Sequence, residues 1–172
     1  MSIFNPVSWF TNIPPEWAVF FLSMIPVTEL RASIPIGIEV YGLPIWQVWI
    51  IAVIGDLVPA VVLLLIIPKI YNWLLHRPFV GKIFAHKVEK SRIKFGTKYA
   101  KYGAIALITF VGIPLPMTGS WTGSLVAFLF GIPFRKSLIF ITCGVCLAAT
   151  LVTLITLFAG GAIRWIISLS MV

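Results

Sequence analysis

An uncharged run of 33 residues, Tyr102 to Phe134, is broken at its middle by Pro114, Pro116, Gly119 and Gly123. As one continuous helix it would measure about 50 Å at ~1.5 Å per residue. The hydrocarbon core of a bilayer is only ~30 Å thick. The run is therefore too long for a simple span, and it is irregular where a span must be regular. Unpaired backbone groups are costly in lipid, so such backbone survives at depth only where protein covers it or where it lines a polar cavity. The run predicts a re-entrant hairpin: two half-helices meeting at an irregular tip. That tip is a candidate transport site.

Composition places the whole chain in the membrane class. It is 60% hydrophobic and 10% charged, with mean hydropathy +1.06, unlike a soluble domain. The net charge of +8 does not indicate a nucleic-acid partner, because nine of the thirteen Lys and Arg lie between Lys69 and Lys101. In a membrane protein that clustering marks a cytoplasmic loop. The first fifteen residues carry no Lys or Arg, so the charged start of a secretory signal is missing. Cys143 and Cys146 share a helix face but have no second pair and no histidine nearby in sequence. They read as two small buried residues rather than a redox or metal site. No nucleotide-binding, metalloprotease or Ser/His/Asp pattern is present. The chain is expected to be no enzyme and to carry no cofactor and no metal.

The fold class expected is all-α integral membrane, in a single domain. A first repeat covers 1–68, a basic stretch 69–101, a second repeat 102–163 and a tail 164–172. In the first repeat, Trp17 to Thr28 is apolar but too short to span, and Glu29-Leu30-Arg31 follows. Pro44 to Pro68 is a full-length span interrupted by Asp56 and Pro59. In the second repeat, Arg135-Lys136 is a charged break, and Ser137 to Ile163 is an uncharged span. Within the basic stretch, Phe84, Val88, Phe95, Tyr99 and Tyr102 follow a helical stripe among lysines. This suits an amphipathic helix on the inner membrane surface; a solvated linker fits equally well. His76 and His86 read as ordinary surface histidines.

A weak internal repeat supports the division. Pro26 answers Pro114, Gly42-Leu43-Pro44 answers Gly131-Ile132-Pro133, and Gly55 answers Gly144. Each half would be a broken hairpin followed by one spanning helix. If all four apolar segments spanned, the two basic clusters would lie on opposite sides. If the first and third are re-entrant, both clusters lie inside and both termini outside, which satisfies the positive-inside rule. The halves are then inverted repeats, a recurrent transporter plan with its site near the midplane. The expected location is the inner (plasma) membrane, multi-pass.

Ionisable groups at depth cost at least ~2.5–3.5 kcal/mol each, so they persist mainly where paired, hydrated or functional. Glu29 and Arg31 stand two apart and would not share a face of a regular helix; a broken tip relaxes that limit. Glu29 can bind and release a proton. Arg31 presents a fork suited to phosphate or carboxylate. Alternatively the two only brace the hairpin. Asp56 stands three residues before a helix-kinking proline and reads as a proton or cation site, or as a structural partner of Arg31 or of a freed backbone amide. Glu39 is a secondary candidate near the outer interface. In the second tip, Pro114, Pro116 and Gly119 free backbone groups, Thr118, Ser120 and Thr122 offer hydroxyls, and Trp121 can wall a ligand. Gly119 and Gly123 can instead serve close helix packing.

At these residues the chain resembles a known family. PVTELRASIPIGI (26–38) and GIPLPMTGSWTGSLVA (112–127) resemble the paired signatures of the small multidrug export family, which looks related to the DedA membrane-protein superfamily. The resemblance implies two re-entrant loops in an inverted repeat. Through DedA it implies translocation of lipids, including polyprenyl phosphates, with acidic and arginine residues at the loops; Glu29, Arg31 and Asp56 are the matching positions. DedA proteins typically carry an arginine in the second loop, and PLPMTGSWTG has none. The expected partners are membrane lipids, a lipid-phosphate or small amphipathic substrate, protons or another coupling ion, and a second copy in a homodimer. The alternatives are an exporter of cationic small molecules and a non-transporting scaffold.

Overall fold

The structure, a computed structural model, describes residues 13–75, 103–115 and 118–170. The predicted amphipathic helix of the basic stretch and Pro116 lie outside the described residues. The described residues form helices and no strands. Helix α1 is Pro15–Met24. Helix α2 is Glu29–Pro35, continued by a π-helical turn at Ile36–Val40. Helix α3 is Ile45–Leu75, α4 is Gly103–Gly112, α5 is Ser120–Leu129 and α6 is Phe134–Ser170.

The short helices end where the sequence forces them to. Ile25 is extended (ψ 129°), because the ring of Pro26 disfavours helical backbone in the residue before it. The carbonyls orphaned at this break need donors. The Thr28 hydroxyl supplies one, 2.6 Å from the Leu22 carbonyl and 3.4 Å from that of Ile25. The second hairpin repeats the device. There the Thr118 hydroxyl lies 2.8 Å from the carbonyls of both Ile113 and Leu115. Each hairpin then returns through a glycine in left-handed backbone, Gly42 (φ 64°) and Gly131 (φ 67°), a conformation that costs glycine nothing. Two residues on, Pro44 and Pro133 accept the first amides of α3 and α6 from Val48 and Ser137, each at 3.0 Å.

Two helices are long and apolar enough to cross a membrane, over Ile45–Trp73 (mean hydropathy 2.9) and Phe134–Gly160 (2.6). Only 39% of each is buried within the protein, so most of their apolar surface faces outward. That is expected of lipid-facing helices and not of the core helix of a soluble domain. Both helices outrun their sequence limits. Pro68 lies inside α3, since it removes one hydrogen bond without ending an otherwise favourable helix. Arg135 and Lys136 occupy the first turn of α6 rather than breaking the chain. Their charge opposes the helix dipole by roughly 0.3–1 kcal/mol each, but both side chains are exposed. Cys143 is also exposed rather than buried, because its helix face is an outward apolar one.

The contacts divide the chain into two compact units, each described by itself. The first holds residues up to Asp56 and from Cys146; the second is Leu57–Val145. In the first, Ala18, Val19, Leu22, Ile34, Val48 and Ala52 are fully buried. In the second, Leu107, Ala127, Ile141 and Val145 are. The two interiors share one close approach. A Cβ on Gly55 would stand 2.6 Å from the Phe20 carbonyl and 3.0 Å from the Ser23 Cβ; one on Gly144 would stand 3.0 Å from the Ile108 carbonyl and 2.7 Å from the Val111 Cβ. Phe20 and Ile108 are 88 residues apart, as are Ser23 and Val111. The threonines at the tips are 90 apart, and the glycines 89. The shifts have local causes. The second break is two residues longer, and the first return takes up one extra residue in its π turn, which holds more residues per turn than an α-helix.

Candidate functional site

The tip of the first hairpin gathers its chemistry around one unusual backbone. Glu29 has φ 43°, the one non-glycine residue with positive φ among the described residues. Its amide still bonds the Ile25 carbonyl at 2.9 Å, so it starts α2 while turning the chain left-handed. That turn lets residues two apart meet. The Glu29 Oε2 lies 3.6 Å from an Arg31 guanidinium nitrogen. This exceeds the ~2.7–2.9 Å of a charge-assisted hydrogen bond, so the pair is a Coulombic contact rather than a clamp. Its members are unequally covered: the Glu29 side chain is 6% exposed and that of Arg31 24%. Burial pushes the Glu29 carboxyl above its ordinary value, and the Arg31 charge partly opposes the shift.

Behind the tip lies a second polar group. Ser23 on α1 and Ser33 on α2 are fully buried, with their hydroxyl oxygens 2.8 Å apart. The Ser23 oxygen is also 2.8 Å from the Val19 carbonyl. Gly55 of α3 packs against Ser23, and Asp56 is the next residue along that helix. Asp56 is 1% exposed. Pro59 deprives the Gly55 carbonyl of its helical donor. Glu39 is set apart, exposed on the π turn at the far end of the hairpin. The sequence reading passed over Ser23 and Ser33 and took Gly55 only as an anchor of the internal repeat. The available signal was a serine in each apolar arm of the hairpin, with a glycine directly before the buried acid.

An apolar cavity of about 380 Å³ lies in the same unit, lined by Glu16, Trp17, Phe20 and Ile51. Trp17 stacks on Phe21 (6.0 Å) and meets Phe20 edge-on (5.8 Å).

The second tip is organised differently. Pro114 and Trp121 are half-buried and Gly119 is buried. The Thr118 hydroxyl closes the α4 break. The Thr122 hydroxyl accepts from the Gly119 amide at 3.1 Å and lies 3.2 Å from the Gly119 carbonyl. Ser124 lies 2.8 Å from the Ser120 carbonyl and 3.4 Å from that of Ala60. The Thr118 and Thr122 hydroxyls satisfy backbone freed by the break. A Cβ on Gly123 would meet Val111 at 2.5 Å, so Gly123 serves close packing. Among the described residues no group of three or more His, Cys, Asp and Glu is placed to hold a metal. The predicted residues thus fall into two sets: Glu29, Arg31 and Asp56 in the first unit, and Pro114, Thr118, Gly119, Trp121 and Thr122 in the second.

Residues 29–151 match the model of a family described as "Putative small multi-drug export protein". The match begins at Glu29 and includes Arg31, Asp56 and the whole second tip. Neither curated proteins nor solved structures give a match.

Proposed function

Since the chain belongs to the small multi-drug export family, we propose that it is a membrane transporter whose substrate site is the tip of the first hairpin. The substrate class is an anionic amphiphile of the lipid-phosphate type, moved across the membrane with protons or another coupling ion. One observation carries this reading: in the Glu29–Arg31 pair the arginine side chain is 24% exposed while the glutamate is 6% exposed. A guanidinium offers donors to phosphate, while Glu29, raised by burial, takes up a proton more readily than an ordinary carboxylate. The wider DedA relation belongs to the same proposal.

The arrangement in the membrane follows from the charges. Both hairpins are re-entrant, the halves are inverted repeats, and the basic stretch and Arg135-Lys136 lie on the cytoplasmic side of the inner membrane. The protein acts as a homodimer, because a chain this short has little of its own mass to cover two broken hairpins, and it catalyses no covalent reaction.

The family description favours a second reading, export of cationic small molecules with Glu29 and Asp56 binding the cation directly. Leaflet translocation of a labelled lipid phosphate in proteoliposomes separates the two. Under the first reading wild type moves the lipid, and both Arg31→Ala and Glu29→Gln lower the rate at least tenfold, as about 1.4 kcal/mol of lost interaction would. No movement above protein-free vesicles, from folded protein, rejects it. Under the second reading Arg31→Ala leaves drug export intact and Glu29→Gln abolishes it.

A further inference from the structure

Both spans reach the membrane surface at one end of the second unit. The first span closes at Trp73 and the second opens at Phe134, and both positions fall in the Leu57–Val145 unit. A ring contact ties these ends together: Tyr71 of α3 meets Phe128 of α5 edge-on, with centroids 5.3 Å apart. From Phe128 the chain returns at once into α6. The Gly131 amide bonds the Phe128 carbonyl and the Ile132 amide that of Ala127, each at 3.0 Å. Phe134-Arg135-Lys136 then open α6, while Lys69 precedes Tyr71 by two residues on α3. Lys69, Arg135 and Lys136 thus lie at the end of the unit where both spans stop.

This end is charged in one sense only. All three cations are exposed, and no Asp or Glu occurs among the described residues of the unit. Their charges therefore add without internal compensation, and like charges repel. The fold does not ask for them. The first unit makes the matching return through Gly42 into Ile45-Trp46-Gln47, at the offset of 89 that relates Gly42 to Gly131, and carries no charge there. In α6 the Arg135-Lys136 pair even opposes the helix dipole. Beside the cations stand exposed rings: Trp73 is 60% exposed and Phe134 38%. Tryptophan collects at headgroup level, where its ring lies in hydrocarbon and its N–H reaches polar groups.

We infer that this end of the second unit is a docking surface for anionic phospholipid headgroups. Arg135 offers a fork that suits a phosphate diester, and Lys69 and Lys136 add compact charges. Trp73 and Phe134 supply the apolar border that meets the upper acyl chains. An acidic protein segment would satisfy the charge as well. The charge lies, however, at the margin of two apolar spans, where headgroups already stand and no partner has to be recruited. The surface is separate from Arg31 and does not depend on the transport reading.

The test is the thermal stability of the purified full chain in a non-ionic detergent, titrated with phosphatidylglycerol, phosphatidylcholine or inorganic phosphate. Phosphatidylglycerol should raise Tm saturably by about 4 °C, beyond the other two. Raising NaCl from about 0.05 to about 0.5 M should remove most of that gain. Arg135→Gln/Lys136→Gln should raise the half-saturating concentration at least about tenfold, since each cation near an anionic surface is worth about fivefold. The exchange Arg135→Lys/Lys136→Arg keeps the charge and should stay within about twofold of wild type. Should the neutral pair not fold, Lys69→Gln alone makes the same comparison, with about fivefold expected. Equal responses to phosphatidylglycerol and phosphatidylcholine, or to inorganic phosphate, overturn the surface; charge that served only to orient the chain during insertion would give that result. So does a gain that salt leaves intact, or one that Lys69→Gln/Arg135→Gln/Lys136→Gln retains in full, which would put the headgroups elsewhere on the chain. Headgroup binding without lipid movement in vesicles would sink the substrate reading and leave this one standing.

Discussion

At the scale of the residue, Glu29 carries the largest local cost in the hairpin. Left-handed backbone at a non-glycine residue costs of order 1–3 kcal/mol, and its carboxylate is buried. Glu29→Gly should therefore keep or raise thermal stability while removing the ion pair; a clear fall in Tm would show that the Arg31 contact outweighs the strain. Glu29→Gln separates charge from backbone. Because burial raises the folded-state carboxyl above its unfolded value, the folded chain holds that proton more tightly. Stability from this group is then greatest at acid pH and is lost as pH rises through the raised value. The Gln variant carries no such penalty, so its Tm advantage over wild type should grow from acid to alkaline pH. An advantage that is flat with pH would mean that Arg31 fully compensates the charge. Glu29 and Arg31 were legible as a candidate pair in the sequence, since charges are rare in this chain. The left-handed turn that joins them was not, because glutamate carries no local signal for it.

At the scale of the element, four glycines do two different jobs. Gly55 and Gly144 bring a spanning helix against a hairpin arm, and an added Cβ would meet a backbone carbonyl or a Cβ at 2.6 Å and 2.7 Å. In isolation Gly→Ala should favour a helix by about 1 kcal/mol. Overpacking against atoms that cannot move costs ~1–3 kcal/mol. Gly55→Ala and Gly144→Ala should therefore both lower Tm, and a rise in either would show that the helices simply part. Gly42→Ala should also destabilise, for another reason: nothing lies within 4 Å of its Cβ position, but its φ is 64°. The hairpin breaks were legible because Pro26, Pro114 and the glycines at 42 and 131 act locally. The ends of the long helices were not. Pro68 and the Arg135-Lys136 pair look like stops in isolation, yet each costs less than the apolar helix around it gains. The register of the repeat also needed the structure, because a two-residue insertion and a one-residue π turn nearly cancel in the numbering.

At the scale of the whole molecule, the proposed inverted arrangement places Glu39 outside and Lys136 inside. Single cysteines at these positions, in a background with Cys143 and Cys146 replaced by alanine, distinguish the topologies in intact cells. A membrane-impermeant maleimide should label Glu39→Cys and spare Lys136→Cys until the membrane is opened. Labelling of both from outside would refute the inverted repeat. The sequence by itself determined the membrane class, the two spanning segments and the two broken hairpins, because hydropathy, proline and glycine act over a few neighbouring residues. It also singled out Glu29, Arg31 and Asp56, because charge in an apolar chain is expensive wherever it lies. Only the tertiary structure decided that Ser23 meets Ser33, that Gly55 packs against Ser23, and that Thr118 and Thr122 serve their own backbone. Those facts depend on which helix faces reach one another, and proximity between distant segments leaves no periodic trace in either.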